Sequence, residues 1–313
     1  MAPQNQAFET EVLPYGPDAI ARAAALIAEG HPVAVPTETV YGLAADASNA
    51  EAVARIYEAK GRPGFNPLIV HVPDLEAAER LGDFSEAARA AARRWWPGAL
   101  TLVVPLREKA EVAPGVTAGL PTIALRCPAS RAMQALLRAS SRPLAAPSAN
   151  ASGGISPTTA DHVLASLRGR IPLIVDGGPT ALGLESTIVA FTGGEPRLLR
   201  PGPIGFNAVA VQEGARIEAP GQLASHYAPS KPLRLDATQA AEDEWLIGFG
   251  PIAGDENLSA AGNLEEAAAN LFAALHRSDQ QRKPRIAVAP IPRDGVGAAI
   301  NDRLRRAAAP RQG

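Results

Sequence analysis

The stretch from Pro36 to His71 limits the possible folds of this chain more than any other part of it. It continues a short β-branched run, residues 31–36, and it reads as a strand, a tight turn, a helix and a strand. Residues 49–60 carry apolar side chains at helical spacing, and we expect this helix to stop at Gly61. The apolar strand 67–72 follows and contains His71. Such a unit is typical of an α/β sheet.

Further strands and helices follow, but their alternation is not strict. We therefore predict an α/β fold with a large sheet of mixed strand direction. Helices are expected at 18–30, 74–82, 85–96, 130–140 and 158–167, and strands at 100–106, 122–128, 143–150, 171–178, 186–191 and 196–202.

The chain divides by composition into four parts. Residues 1–16 read as a loose tail with room for a first strand, and 17–205 as one large α/β domain. Periodicity fades in residues 206–232, a proline-rich linker that contains HYAPSKP. Residues 233–313 show a small doubly wound α/β pattern.

Charge and cysteine content exclude several classes of protein. The net charge of −2, from 30 basic and 32 acidic residues, gives no general attraction to nucleic acid. The single cysteine, Cys127, excludes an internal disulfide framework, and we interpret it as a small buried residue. No run of about 18 apolar residues and no apolar leader are present, so we expect a cytoplasmic protein without a membrane span.

The familiar catalytic motifs are missing from the sequence. There is no GxxxxGK[ST] phosphate loop, no complete GxGxxG after a strand, no GxSxG nucleophile turn and no metal-ligand spacing. Cations and small polar side chains instead cluster near predicted strand and helix ends, where α/β proteins bind ligands, and together they suit a polyphosphate. They are Thr37, Thr39, Lys60, Arg62, His71, Thr122, Arg126, Ser148, Asn150, Ser156, Ser186, Thr187 and Arg200.

Structural roles are open for some of these residues. Lys60 and Arg62 would also complement the dipole of a helix that ends between them. His71 would also fit a hydrogen-bonded histidine at a strand end.

Several segments together resemble the YrdC-type domain of L-threonylcarbamoyladenylate synthases. These segments are PTETVYGLAADA, KGRPGFNPLIVHV, WPGALTLVV, TIALRCP, APSANASGGISPT, ESTIV and LLRPGPI. HYAPSKPL resembles the linker of the long, two-domain form of that enzyme, and VGAAINDRLRRAA resembles the end of its C-terminal domain. The second domain is short for the long form. The resemblance implies a YrdC-like domain over 17–205, a linker over the active site and a small Rossmann-like domain.

The resemblance also implies a reaction. L-threonine, bicarbonate or carbon dioxide, and ATP would give threonylcarbamoyl-AMP and pyrophosphate. Partner proteins would then transfer the group to tRNA to make N6-threonylcarbamoyladenosine, and direct binding of tRNA by this chain is left open. Threonine carbamate and ATP are both anions, so clustered cations and the absence of a protein nucleophile fit this chemistry.

Site residues follow from the resemblance, position by position. Lys60 and Arg62 would be the catalytic cations. Mg²⁺ would bind to the phosphates of ATP, with Glu38, Asp46 and Glu185 as possible indirect ligands. The ATP site would contain Arg62, Asn66, Thr122, Ser148, Asn150, Ser156, Arg200 and Tyr227. The threonine site would contain Thr39, His71, Arg126, Ala146 and Ser186.

Two other functions deserve comparison. A ribosome-maturation factor that binds double-stranded RNA would show salt-dependent RNA affinity without ATP turnover, but the charge balance and few aromatics disfavour it. A carbamoyl-transfer module, as in hydrogenase maturation proteins, would carry zinc-finger and acylphosphatase-like segments, which this sequence lacks. The HYAP linker favours the use of threonine.

Overall fold

The computed structural model describes residues 8–211, 218–222 and 225–310 of the 313 residues. Part of the predicted tail, and residues 212–217 and 223–224 of the predicted linker, lie outside the described residues.

A mixed 11-stranded sheet forms the larger part of the described chain, which confirms the predicted fold class. Its spatial order is β1-β8-β2-β3-β7-β4-β6-β5-β9-β10-β11. The strands are β1 (Glu11–Pro14), β2 (Val33–Pro36), β3 (Tyr41–Asp46), β4 (Ile69–His71), β5 (Leu100–Pro105), β6 (Thr122–Arg126), β7 (Leu144–Ala145), β8 (Leu173–Asp176), β9 (Thr187–Ala190), β10 (Arg197–Arg200) and β11 (Val209–Ala210). Within the predicted tail, β1 pairs in parallel with β8.

Seven helices of the described chain accompany this sheet. Most begin at a side-chain cap; Asn49, for example, accepts hydrogen bonds from the amides of Glu51 and Ala52. The second helix ends where the sequence predicts, at Gly61, whose φ of 58° is left-handed. The helices are α1 (Pro17–Ala28), α2 (Ala50–Lys60), α3 (Leu75–Glu79), α4 (Glu86–Trp95), α5 (Pro114–Thr117), α6 (Arg131–Ser140) and α7 (Ala160–Leu167).

An antiparallel hairpin of β2 and β3 shapes one wall of the later site. Val35 lies opposite Gly42, and the chain reverses through residues 37–40. Thr37 closes this turn, because its hydroxyl accepts from the amides of Thr39 and Val40. The two threonine side chains are therefore fixed at the tip of the hairpin.

The C-terminal part folds as a small parallel α/β unit, as the sequence predicts. Its four-stranded sheet has the order β12-β15-β13-β14. The elements are β12 (Leu233–Arg234), β13 (Glu244–Gly248), β14 (Glu256–Asn257), α8 (Leu264–Asp279), β15 (Arg285–Val288) and α9 (Val296–Ala308).

The small unit packs closely on the large one. Val40, Ile155 and Leu184 of the large unit belong to the same buried cluster as Phe272 of α8. Gly183 has a φ of 65°, and a β-carbon there would collide with backbone atoms of α8. The domain boundaries near residues 205 and 232 stay a prediction.

Candidate active site

The sheet topology brings three predicted site residues together at one end of neighbouring strands; this end of the strands is called the site edge below. β4 and β6 run parallel, so His71 at the end of one strand lies beside Arg126 at the end of the other. β5 runs antiparallel to β6 and parallel to β9, so the start of β9 reaches the same edge. Ser186, directly before β9, therefore faces this group, and its hydroxyl lies 2.7 Å from that of Thr101.

A small cavity of about 50 Å³ lies at the site edge. The predicted site residues that line it are Thr39, Arg62, His71, Arg126, Ala146, Ser148, Ser186, Arg200 and Tyr227. Its wall also includes Thr37, Glu185, Pro220, Gly221 and His226. Residues predicted for ATP and for threonine thus share one space.

The two predicted catalytic cations, Lys60 and Arg62, are both buried. Lys60 is the last residue of α2 and is 2% exposed. Its ammonium group donates to the carbonyl oxygens of Ser148 and Asn150, each at 2.5 Å. Burial, together with the charge of Arg62, lowers the pKa of Lys60 well below its ordinary value. Lys60 therefore fixes the loop 148–150 through two hydrogen bonds, and Lys60 itself does not line the cavity.

Arg62 lies inside the wall of the cavity. Its guanidinium donates to the carbonyl oxygens of Asn66 (3.1 Å) and Pro67 (2.7 Å). Burial lowers its pKa to about 10, so the side chain remains a cation at neutral pH.

Arg126 is held in a fixed orientation by three hydrogen bonds. Its guanidinium donates to Glu38 Oε1 (2.6 Å), to Thr39 Oγ1 (2.9 Å) and to the carbonyl oxygen of Gly98 (3.1 Å). Burial by itself would raise the pKa of Glu38, but the charge and hydrogen bond of Arg126 bring it below the ordinary value. Two of the five guanidinium N–H groups remain for a carboxylate ligand.

Arg200 and Thr187 organise the segment around Ser186. Arg200 donates to both the hydroxyl and the carbonyl oxygen of Ser186, each at 3.0 Å. The Thr187 hydroxyl donates to the carbonyl oxygen of Ile204 at 2.8 Å, which makes Thr187 a structural residue of the loop after β10. Thr101 was missed by the sequence analysis, although a threonine inside the apolar run of β5 was a usable signal.

His71 is 2% exposed and faces the cavity. Burial, followed by the charge of Arg126, lowers its pKa to about 3, so the ring is neutral at physiological pH. Neither ring nitrogen makes a hydrogen bond of ordinary geometry, although the carbonyls of Ile69 and Leu144 favour the protonated ring.

Several buried polar atoms in the cavity wall have no hydrogen-bond partner. Among the described residues they are both ring nitrogens of His71, Nδ1 of His226 and the hydroxyl of Tyr227, whereas the unpartnered side-chain atoms of Asn66 and Asn150 belong to residues outside the lining. Unsatisfied buried polar groups are rare in proteins, and a cluster of them indicates a ligand site.

Ser156 and Thr122 lie outside the cavity lining. The Ser156 hydroxyl donates to Glu185 Oε1. Thr122 pairs with Pro105 and lies at the opposite end of β6 from Arg126, partly exposed. Its predicted contact with ATP stays a prediction.

The described part of the linker closes the cavity. Tyr227 is 1% exposed, and its ring packs 5.6 Å from that of Phe272 in the C-terminal unit. Gly221 has a φ of 85°, and a β-carbon there would lie only 2.8 Å from the Tyr227 hydroxyl. Residues 220–221 and 226–227 therefore form a cover that leaves no room for a nucleotide.

The carboxylates considered for magnesium are already engaged. Glu38 binds Arg126, and both oxygens of Glu185 accept hydrogen bonds, from Ser156 and Arg303. Asp46, at the far end of β3, accepts from Ser48. No group of three or more histidine, cysteine, aspartate or glutamate residues in the described ranges can hold a metal ion. Cys127 is buried, as predicted, and its thiol donates to the carbonyl oxygen of Pro73 at 3.0 Å.

None of the helices within the described ranges has both the length and the apolar character that a membrane crossing requires.

Fold and cavity together define a class: a two-unit α/β protein with a buried cationic site beneath a linker. Two family models match successive parts of the chain. The model described as telomere recombination matches residues 25–202, and the one described as threonylcarbamoyl-AMP synthase, C-terminal domain, matches residues 195–309.

Relatives match over nearly the whole chain. The threonylcarbamoyl-AMP synthase of Bacillus subtilis is 42% identical, over 92% of this chain and 92% of its own length. That of Pyrococcus abyssi is 41% identical, over 91% of this chain and 92% of its own length. The chain belongs to the threonylcarbamoyl-AMP synthase family.

Solved structures agree with this assignment. P. abyssi Sua5 complexed with L-threonine matches with a TM-score of 0.87 and 37% identity, over 96% of this chain and 97% of the other. E. coli YciO, at 19% identity and a TM-score of 0.54, covers 62% of this chain and 95% of its own and shares the fold alone.

Proposed function

We propose that this protein synthesises threonylcarbamoyl-AMP and pyrophosphate from L-threonine, bicarbonate or carbon dioxide, and ATP. The observation that carries the proposal is a cavity whose wall contains three buried arginines, Arg62, Arg126 and Arg200. The relatives that match nearly the whole chain are named threonylcarbamoyl-AMP synthase. The RNA-binding alternative is not favoured. Likeness to T. kodakarensis HypF, at 21% identity, concerns the fold alone.

Threonine binds at the site edge, formed by β4, β6 and β9, in this proposal. The two remaining N–H groups of Arg126 take the carboxylate as a planar fork, while Glu38 and Thr39 keep the guanidinium in place. His71, Ser186 and the backbone of Ala146 contact the rest of the amino acid. The structure of P. abyssi Sua5, which matches this chain over 97% of its own length, has been solved in complex with L-threonine.

ATP binds on the side of Arg62 and Arg200. The threonine amine takes up carbon dioxide and loses a proton to give a carbamate, whose oxygen attacks the α-phosphorus and displaces pyrophosphate. Holding two anions in line supplies roughly 7–11 kcal/mol of the barrier reduction. Buried cations stabilise the charge that moves onto the leaving pyrophosphate.

Lys60 supports this step through the loop that it binds. Its ammonium fixes Ser148 and Asn150, and one N–H remains for a phosphate or carbamate oxygen. Ser148, Asn150, Ser156, Asn66 and Thr122 complete the proposed nucleotide site.

Magnesium enters only as a companion of ATP in this proposal. The carboxylates of the site are occupied by arginine and serine partners and do not form an open ligand set. The product, a reactive mixed anhydride, then passes to proteins that transfer the threonylcarbamoyl group to tRNA.

Pyrophosphate release tests the reaction. Purified protein with ATP, magnesium and bicarbonate is assayed across the amino acids. Release that depends on both threonine and bicarbonate is the expected result. Release that is the same without threonine would overturn the proposal.

A further inference from the structure

Arg303 of helix α9 crosses from the C-terminal unit into the base of the active site. It is 0% exposed, and its Nε donates to Glu185 Oε2 at 2.8 Å. Its Nη1 donates to the carbonyl oxygen of Pro201 (2.8 Å) and to Asp302 Oδ2 (2.9 Å). Glu185, the one carboxylate residue among the described residues of the cavity lining, is thus bound by a residue more than a hundred positions away in the sequence.

The charge of Glu185 makes this contact consequential. An ionised carboxylate in the wall of a site for polyanions repels the ligand unless a cation neutralises it. Burial opposes ionisation, but the charges of Arg303 and Arg200 lower the pKa of Glu185 below its ordinary value. The carboxylate therefore stays charged; Arg303 binds it directly, and Arg200 adds a second favourable charge nearby.

A second contact from the C-terminal unit reaches the same place. Ser156 donates its hydroxyl to Glu185, and its carbonyl oxygen accepts from Nε2 of His276 on α8 at 3.2 Å. The His276 ring stacks on His162 with ring centroids 3.8 Å apart. Side chain and backbone of Ser156 are thus both fixed through residues of the small unit. Arg303 also lies 5.4 Å from the ring centre of Tyr227.

We propose that Arg303 is a positioning residue of the nucleotide site, which neutralises Glu185 and thereby holds Ser156 and Tyr227 in place for ATP. The proposal rests on the proposed function, because that function assigns Ser156 and Tyr227 to ATP. It makes the C-terminal unit a part of the ATP site, although none of the unit's described residues lines the cavity itself.

The test compares ATP and threonine binding by calorimetry in full-length variants. Arg303→Met should weaken ATP binding at least tenfold, because Glu185 then loses the cation that is hydrogen-bonded to it, and should change threonine binding less than threefold. Arg305→Met, on the same helix but exposed, is the matched control and should leave both affinities within twofold.

The double variant Glu185→Gln with Arg303→Met separates charge neutralisation from simple loss of packing. It removes both charged partners of the ion pair. Proteins tolerate the replacement of both partners of a buried ion pair far better than the removal of one, which leaves a buried charge without a partner. ATP affinity should return to within threefold of the unmodified protein, and Arg303→Lys should give an intermediate value. Equal losses in the single and double variants, equal losses for ATP and threonine, or no loss at all would overturn the proposal.

Failure of the reaction itself is distinguishable from failure of this inference. If the unmodified protein binds ATP but releases no pyrophosphate with threonine, the proposed function is wrong. The ATP affinities of the variants still decide whether Arg303 organises the nucleotide site.

Discussion

At the scale of single residues, Arg126 shows how a binding group is prepared before its ligand arrives. Three acceptors fix its guanidinium, so little side-chain entropy remains to be lost when a carboxylate binds. A lysine at this position would keep the charge but lose the planar fork.

Arg126→Lys should weaken threonine binding far more than ATP binding. Loss of a charge-assisted hydrogen bond costs about 1.5–3 kcal/mol, which corresponds to roughly a 10- to 150-fold increase in the threonine dissociation constant. Calorimetric titration with each substrate measures this. Arg131→Lys, an exposed conservative change, is the control. Equal losses for both substrates would refute the assignment of Arg126 to the carboxylate.

At the scale of elements, the linker is held by both units. Arg197 of β10 binds Glu218, and the amide of Ala228 donates to the carbonyl oxygen of Gly153, while further contacts come from the C-terminal unit. Tyr227 belongs to the buried cluster of that unit, and the amide of His226 donates to the carbonyl oxygen of Arg306 in α9. Movement of the cover is therefore coupled to the packing of α8 and α9.

Tyr227→Ala should weaken ATP binding about three- to tenfold, since an aromatic contact contributes about 0.5–1.5 kcal/mol beyond the area it buries. The same variant should hydrolyse its adenylate product faster, because the cover excludes water less well. ATP titration and product decay are compared with Tyr227→Phe, which keeps the ring, and Tyr15→Ala, which removes a partly exposed one. Unchanged values in Tyr227→Ala would mean that the linker is only a tether.

Sequence patterns predicted the helices and strands well, but they did not predict the contacts between elements that are distant in the sequence. The end of α2 at Gly61 and the strand that carries His71 follow from local signals. The burial of Lys60 does not, because the loop that receives its ammonium lies 88–90 residues away. The contact between Arg303 and Glu185, 118 residues apart, likewise depends on how two units pack, which no local pattern encodes. Most of the predicted cavity residues were proposed from their place at predicted element ends, whereas Ala146 and Tyr227, and the division between ATP and threonine, came only from the resemblance to a known family.

At the scale of the whole molecule, the histidines and three of the glutamates have pKa values shifted in the same direction. All five histidines have a lowered pKa, with burial as the largest cause. The carboxyl groups of Glu38, Glu185 and Glu244 also have a lowered pKa. Each of these groups binds fewer protons folded than unfolded, so each contributes stability that is present at neutral pH and lost on acidification.

The free energy of unfolding should therefore fall between pH 7 and pH 4.5. His162 and His276 each have a pKa of about 4 against an ordinary 6.5, so each should cost on the order of 1–2 kcal/mol at pH 5. Urea titrations at several pH values measure the slope. The double variant His162→Gln with His276→Gln should show a shallower decline than His31→Gln. A stability that does not change over this range would contradict the prediction.

The closed cover has a consequence for the timing of catalysis. A cavity of about 50 Å³ is smaller than a nucleotide, so in the proposed function ATP binds to molecules whose cover has lifted. The apparent dissociation constant then equals the intrinsic one divided by the open fraction. Tyr227→Ala removes both the proposed contact with ATP and the packing of the cover against Phe272. The cover should therefore open more often, and ATP should associate faster even though it is bound less tightly. Stopped-flow association rates would thus report how often the resting protein opens, a quantity that affinity alone conceals.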